Sequence, residues 1–243
     1  MRLPTIHGVI RRRILVNFRV DPAVMQRLLP EPFRPKLLGE TALAGICLIR
    51  LEQLRPRPLP AVVGLSSENA AHRVAVQWKT PSGEDREGVY IPRRDSNSRV
   101  NRLVGGRLFP GEHHRAEFSV IDSAGEIDLS MKSADNEVAV ALRGKVSAEL
   151  PASSKFASLQ AASDFFEGGA IGYSETSRGD ELDGVCLVTR RWRVEPLSVE
   201  RVQSSFFANT SSFPPGSVEF DCALLMRDIE HEWQHVPNLR TSR

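Results

Sequence analysis

The feature that most limits how this chain can fold is an alternation of apolar and polar side chains with a period of two, returning from one end to the other. Val218, Phe220, Cys222, Leu224 and Met226 alternate with polar or small residues. His114, Ala116, Phe118 and Val120 alternate with His113, Arg115, Glu117 and Ser119, and His72, Val74, Val76 and Trp78 with Arg73, Ala75, Gln77 and Lys79. Successive side chains of a strand point to opposite faces, so each set reads as one buried and one solvent-like face. Val9–Val20 is rich in β-branched residues, and Ala42–Leu51 is apolar almost throughout, as a strand covered on both faces would be. Gly88–Ile91, Gly125–Ser133, Glu137–Val146, Gly172–Ser177 and Gly184–Val194 add further strands between turn residues.

Helical signals are few. Asp21–Pro22 supplies an N-cap and a proline at the first helical position for AVMQRLL. Ser158–Phe166 reads as a short helix stopped at Gly168–Gly169, Ser198–Phe207 reads as helical, and Ser96 is placed to cap a helix carrying Val100, Leu103 and Val104. There is no repeat, linker or shift of composition, so residues 1–243 read as a single domain: α+β, mostly β, a barrel or wrapped sheet with short peripheral helices. With 41% hydrophobic and 26% charged residues the chain can bury a substantial core, and a net charge of +2 gives no basis for nucleic-acid binding. The runs Arg11–Arg13 and Arg190–Arg193 are short enough to be solvated strand faces. No stretch approaches a membrane span, and the first residues lack the order of a signal peptide. Cys47, Cys186 and Cys222 are odd in number, far apart and set among apolar residues, which points to reduced core thiols and the cytoplasm.

Chemistry is suggested first by two histidines that open apolar faces. His114 follows a Gly-rich turn and stands where it would look into a pocket. His72 opens a neighbouring strand just after Glu68–Asn69. If both strands point into one barrel mouth, His114, His72 and Glu68 provide two bases and a carboxylate for proton transfer. The structural alternative is a pair of rim histidines bonded to backbone carbonyls. His231–Glu232–Trp233–Gln234–His235 fits the H-E-x-x-H zinc pattern, which roughly one chain in a hundred of this length shows by chance. Here Ile229, His231, Trp233 and His235 continue a strand alternation. Residues four apart on a strand lie about 13 Å from each other, too far to share one zinc. No G-x-S-x-G elbow, P-loop or G-x-G-x-x-G fingerprint is present, and no cysteine has a base next to it in sequence.

Taken along its length, the chain resembles the acetoacetate-decarboxylase-like superfamily, and within it the uncharacterised branch called domain-of-unknown-function family 2071. The resemblance is carried by FRVDPAVMQRLLP, SSENAAHRVAVQW, GVYIPRRDSNSRVNRLVGGRLFPGEHHRAEF, SDFFEGGAIGYSE, WRVEPLSVERVQSSFF and SVEFDCALLMRDI. It implies a conical antiparallel β-barrel with short helices outside and a ligand cavity within. Decarboxylases of this superfamily carry a Gly-Arg-Glu turn, then a proline and two adjacent lysines. The first lysine forms a Schiff base and the second lowers its pKa by like-charge repulsion. Along this chain Gly106–Arg107 matches the Gly-Arg, His113 takes the place of the proline, and His114 and Arg115 take those of the lysines. Neither histidine nor arginine forms an imine. The five lysines, Lys36, Lys79, Lys132, Lys145 and Lys155, lie elsewhere.

The expectation is a cytoplasmic small-molecule protein with a decarboxylase-like cavity and no Schiff-base lysine. Any catalysis would be acid–base work on a small carbonyl or carboxylate compound, with His114 central and His72 and Glu68 its partners. Arg107, Arg115, His113 and Arg73 are the candidate ligand-binding residues. No cofactor, nucleic acid or membrane partner is called for, and self-association into a homo-oligomer is left open. The alternatives are a non-catalytic binding module and a metal-dependent hydrolase using His231 and His235.

Overall fold

The computed structural model of the chain describes residues 5–57, 59–98, 111–176 and 179–241. The helix expected after Ser96, with Val100, Leu103 and Val104, falls almost wholly outside them, as do Gly106 and Arg107. Ser96 itself ends a strand, where its hydroxyl donates to Asn69 Oδ1 (2.7 Å) and accepts from Ser98 N (3.1 Å).

The described strands are β1 (Ile6–Val20), β2 (Arg34–Pro35), β3 (Leu37–Leu38), β4 (Thr41–Pro56), β5 (Leu65–Lys79), β6 (Asp85–Ser96) and β7 (His113–Ser123), followed by β8 (Glu126–Ser133), β9 (Ala139–Val146), β10 (Ile171–Glu175), β11 (Glu181–Thr189), β12 (Glu195–Ser204) and β13 (Val218–Arg240). Two α-helices accompany them, α1 (Pro22–Leu28) and α2 (Leu159–Glu167). Both expected caps are in place: Asp21 accepts from Ala23 N and Val24 N at 2.8 and 2.9 Å, and Ser158 accepts from Ala161 N at 3.1 Å.

All the strands belong to one sheet that closes on itself along two circuits. One circuit runs β1-β4-β5-β6-β10-β11-β13 and returns to β1. The other leaves β6 through β7, β8, β9 and β12 and rejoins at β13. Two long strands make the branching work. β13 pairs with β12 at Ala223–Leu225 and with β11 from His231 onward, and β6 pairs with β10 at Val89–Ile91 and with β7 at Arg94–Ser96. Both of those β6 junctions are parallel, so the barrel is mostly rather than wholly antiparallel.

The shared strands therefore bury both faces, which is why Ala42–Leu51 is apolar without alternation. Ala44, Ile46 and Leu48 join one core with Ile14, Val16, Leu129, Leu142 and Leu225. Leu43, Cys47, Ile49 and Leu51 join the other with Leu15, Leu224, Met226 and Phe166 of α2. Ser198–Ser204, expected to be helical, is strand β12. A bulge between Val199 and Arg201 breaks the period of two there and leaves apolar residues at helix-like spacing.

A candidate anion-binding cavity

A cavity of about 110 Å³ lies inside the seven-strand circuit, and every strand of that circuit contributes to its wall. Ile49, Leu51, Val89, Ile91, Val185, Leu187 and Trp233 make it largely apolar. Arg13, Arg73, Arg94, His113, Asn69, Asp95 and Cys47 are its polar members.

Strand register explains how each polar group arrives. In β1 the run Arg11–Arg13 does not lie on one solvated face, because a bulge against β4 between Ile10 and Arg12 sends Ile10 to the same core as Leu15 and Ile14 to the other. Arg11 is exposed, Arg12 is buried and Arg13 reaches the cavity. In β6, Ile91 and Pro92 together oppose the single residue Arg73 of β5, a bulge with a proline in it. The bulge reverses the alternation, so Arg93 follows His72 to one face while Arg94 follows Ala71 to the cavity. Parallel pairing then sets His113 beside Arg94 and His114 beside Asp95. Gly111 aims this turn: its φ is +79°, its N–H donates to Asp183 Oδ2 (3.1 Å), and a Cβ there would come within 2.5 Å of the Ser174 side chain.

The three cavity arginines have neutral partners. Arg13 Nε meets Cys47 Sγ at 3.3 Å, Arg73 Nη2 donates to Asn17 Oδ1 at 2.5 Å, and Arg94 Nε donates to Ser174 Oγ at 2.9 Å. Arg73 also stacks on Phe166 (4.8 Å) and Arg13 on Trp192 (5.6 Å). Arg13 Nη1 and Arg73 Nε are buried with no acceptor among the described residues. Burial pulls Arg73 and Arg94 down to about 10, so both stay charged at neutral pH while hydrogen-bonded to neutral groups. Burial, with Arg94 beside it, lowers His113 to about 3 and keeps its imidazole neutral.

The acid–base group expected from the sequence lies on the opposite face of the shared sheet. His114 does share a face with Ala116, Phe118 and Val120, as the alternation predicts, but that face belongs to the nine-strand circuit. There its Nδ1 is 3.2 Å from Asp135. Asp135 also meets Arg93 Nη2 at 2.7 Å, and Arg93 grips Asp95 through Nε and Nη2 and reaches Glu137 at 2.7 Å. Burial raises the Asp95 carboxyl above its ordinary value against the pull of Arg93. His72 is fully buried against Phe206 (4.5 Å), and desolvation, with Arg93 nearby, lowers it to about 3. Glu68 accepts from Arg12 Nη2 at 2.7 Å, and its pKa is raised by burial. His72 and His114 thus both neighbour Arg93, while Glu68 sits with Arg12 and Asp122. Of the expected ligand-binding residues, Arg73 and His113 line the cavity and Arg115 is exposed. His113 was expected on a solvent-like face; Arg115, Glu117 and Ser119 are exposed there, but at its first residue that face meets the cavity.

The HEWQH segment is strand. His231 pairs with Gly8 and Thr189 and is buried against Trp233, whereas His235 is exposed opposite Val185. Among the described residues no three His, Cys, Asp or Glu side chains are grouped to hold a metal ion, and no helix is long and apolar enough to cross a membrane. Sequence reasoning missed Arg13, Arg94 and Cys47. The apolar flanks of Arg11–Arg13 and the proline inside β6 were the signals for the first two.

The fold is that of acetoacetate-decarboxylase-like proteins. An acetoacetate-decarboxylase-like enzyme from Sphingomonas wittichii RW1 superposes with a TM-score of 0.63 at 13% identity, covering 100% of this chain and 95% of that one. Acetoacetate decarboxylase from Legionella pneumophila subsp. pneumophila str. Philadelphia 1 gives 0.61 at 12%, covering 99% and 88%. The enduracididine biosynthesis enzyme MppR, solved with pyruvate, gives 0.60 at 12%, covering 99% and 91%. At these identities the likeness is one of fold. The sequence is more specific: residues 9–219 match the model of domain-of-unknown-function family 2071, described as an uncharacterized conserved protein, and the chain belongs to that family. No curated protein matches it.

Proposed function

We propose that this chain, as a single cytoplasmic domain, binds a small organic acid of the 2-oxo acid class inside the seven-strand circuit. The acid's carboxylate lies among Arg13, Arg73 and Arg94. The observation that carries this reading is the convergence of three charged guanidiniums with only neutral partners on one enclosed, mostly apolar space. A buried donor without an acceptor costs about 1–3 kcal/mol, more when charged, and an entering carboxylate removes that cost. The cavity of about 110 Å³ suits a small acid better than a nucleotide or sugar phosphate. MppR, a relative in fold, has been solved with pyruvate, which supports pyruvate as the first probe.

Chemistry in this site runs without an imine. No lysine is among the cavity's lining residues, and residues 99–110 contain none. Lys36 lines a smaller neighbouring cleft, ion-paired to Glu87 at 2.9 Å and stacked on Phe165. Acid–base work falls to His113, neutral and facing the ligand. His114 stays with Asp95 and Arg93 on the opposite face, and His72 and Glu68 hold the far face of β5. Arg107 remains a candidate anion anchor, outside the described residues.

The test is thermal unfolding with and without pyruvate, for wild type, Arg73→Met and Arg94→Met. Saturating ligand at a hundred times its Kd adds about 2.7 kcal/mol to wild type, a shift of several degrees. Each variant should lose most of that shift. Equal shifts in all three proteins, or none in wild type with pyruvate and its close homologues, would sink the reading. Binding without turnover of any 2-oxo acid would assign a non-catalytic module to the same cavity.

A further inference from the structure

We propose that Cys47 is the cavity's reactive group, a thiol that adds reversibly to the keto carbonyl of the bound 2-oxo acid. The inference rests on the anion-binding reading above and assigns a covalent role within that site. Cys47 lines the cavity, and its sulfur meets Arg13 Nε at 3.3 Å. Arg73 and Arg94 line the same cavity. Arg73, only 5% exposed, keeps its buried Nε without an acceptor. One side chain thus awaits an anion, and the nucleophile stands among the groups that would bind it.

The other two cysteines lack this setting. Cys222 is fully buried and its thiol is pushed up to about 12 by burial and by Asp221. Cys186 alternates with Val185 and Leu187, which face the cavity, and so points away from it; burial raises its pKa as well.

The step is balanced without an oxidant. A sulfur–carbon bond forms at the keto carbon, the carbonyl π bond opens, and the thiol proton ends on that oxygen as a hydroxyl group. The product is a hemithioketal, and its breakdown returns thiol and acid. The neighbouring arginines hold the carboxylate that brings the keto carbon to the sulfur.

The experiment is alkylation of the wild-type protein by limiting iodoacetate or iodoacetamide, with each cysteine followed by peptide mass spectrometry and glutathione as the free-thiol reference. Iodoacetate carries the carboxylate that the arginines recognise; iodoacetamide is its neutral isostere. Cys47 should be modified first. Its iodoacetate-to-iodoacetamide rate ratio should exceed that of glutathione by tenfold or more, and pyruvate should slow the reaction at least fivefold. If pyruvate stabilises the protein while neither reagent reaches Cys47 before Cys186, the thiol role is overturned and the anion site stands. Labelling that pyruvate does not slow overturns the thiol role too. A Cys47 that reacts with glutathione's own ratio, in a protein that pyruvate does not stabilise, overturns both.

Discussion

Two arginine clusters on opposite faces of one sheet are built on opposite principles. On the nine-strand face, Arg93 is matched in charge by Asp95, Asp135 and Glu137, and Arg12 by Glu68 and Asp122. On the seven-strand face, Arg13, Arg73 and Arg94 meet a thiol, an amide and a hydroxyl. Both clusters are buried in strands of the same fold, so burial alone does not tell a structural arginine from a binding one. The balance of charge does. Hydrogen bonds to Asp95 and Asp135 hold the Arg93 pKa above its ordinary value although burial pulls it down, whereas burial prevails at Arg73 and Arg94.

Removing one partner from each cluster gives the sharpest contrast. Arg93→Leu leaves Asp95 buried and unmatched, and should cost about 3–5 kcal/mol in urea unfolding. A loss below about 1 kcal/mol would show that the charge-matched cluster is not structural. The next largest effect is with pH. His72 and His231 titrate near 3 and 4 in the folded protein, below the 6.5 of a free imidazole. The unfolded chain therefore binds more protons between those values. Stability is complete above pH 6.5 and falls as the pH drops toward 3–4, by about 1.4 kcal/mol per unit for each buried histidine. The raised Asp95 and Glu68 work in the opposite sense, contributing below their unfolded pKa values and losing that contribution as pH rises through the folded ones. Unfolding of His72→Leu followed across this range should show a slope smaller by one histidine's share; an unchanged slope would contradict the burial of a neutral imidazole.

On the other face the expected effects on stability are smaller. Arg73→Met leaves the buried Asn17 Oδ1 without its donor and should cost about 1–3 kcal/mol while removing most of the response to pyruvate. A loss matching that of Arg93→Leu would erase the difference between the clusters. Smallest of all is an expected zero. Cyanoborohydride added with pyruvate should leave no reduced adduct on Lys36 or any other lysine, as read by intact mass, and a trapped adduct would restore imine chemistry.

Much of this fold was legible as alternation. β5, β7 and β13 fall where the period of two put them, β1 where β-branched residues gather, and β4 where a continuous apolar run marks a doubly covered strand. The misreading of Ser198–Phe207 came from a bulge, which shifts register by one residue and cannot be recognised from spacing alone. The candidate site was half legible for a related reason. Alternation correctly put His114 with Ala116 and Phe118, but it cannot say which face of a doubly buried sheet holds a cavity. That depends on closure by β10 and β11, far away in sequence. Arg94 was hidden by the bulge at Pro92, and Arg13 by being read as part of a charged run instead of residue by residue.

The most direct test of the unmatched cluster is calorimetric titration of the wild-type protein with pyruvate and with pyruvamide, which replaces the carboxylate by a neutral amide of nearly the same shape. The expected result is measurable binding of the acid, at least tenfold tighter than the amide. Equal affinity for the two, or preference for the amide, would mean that the three guanidiniums do not hold an anion.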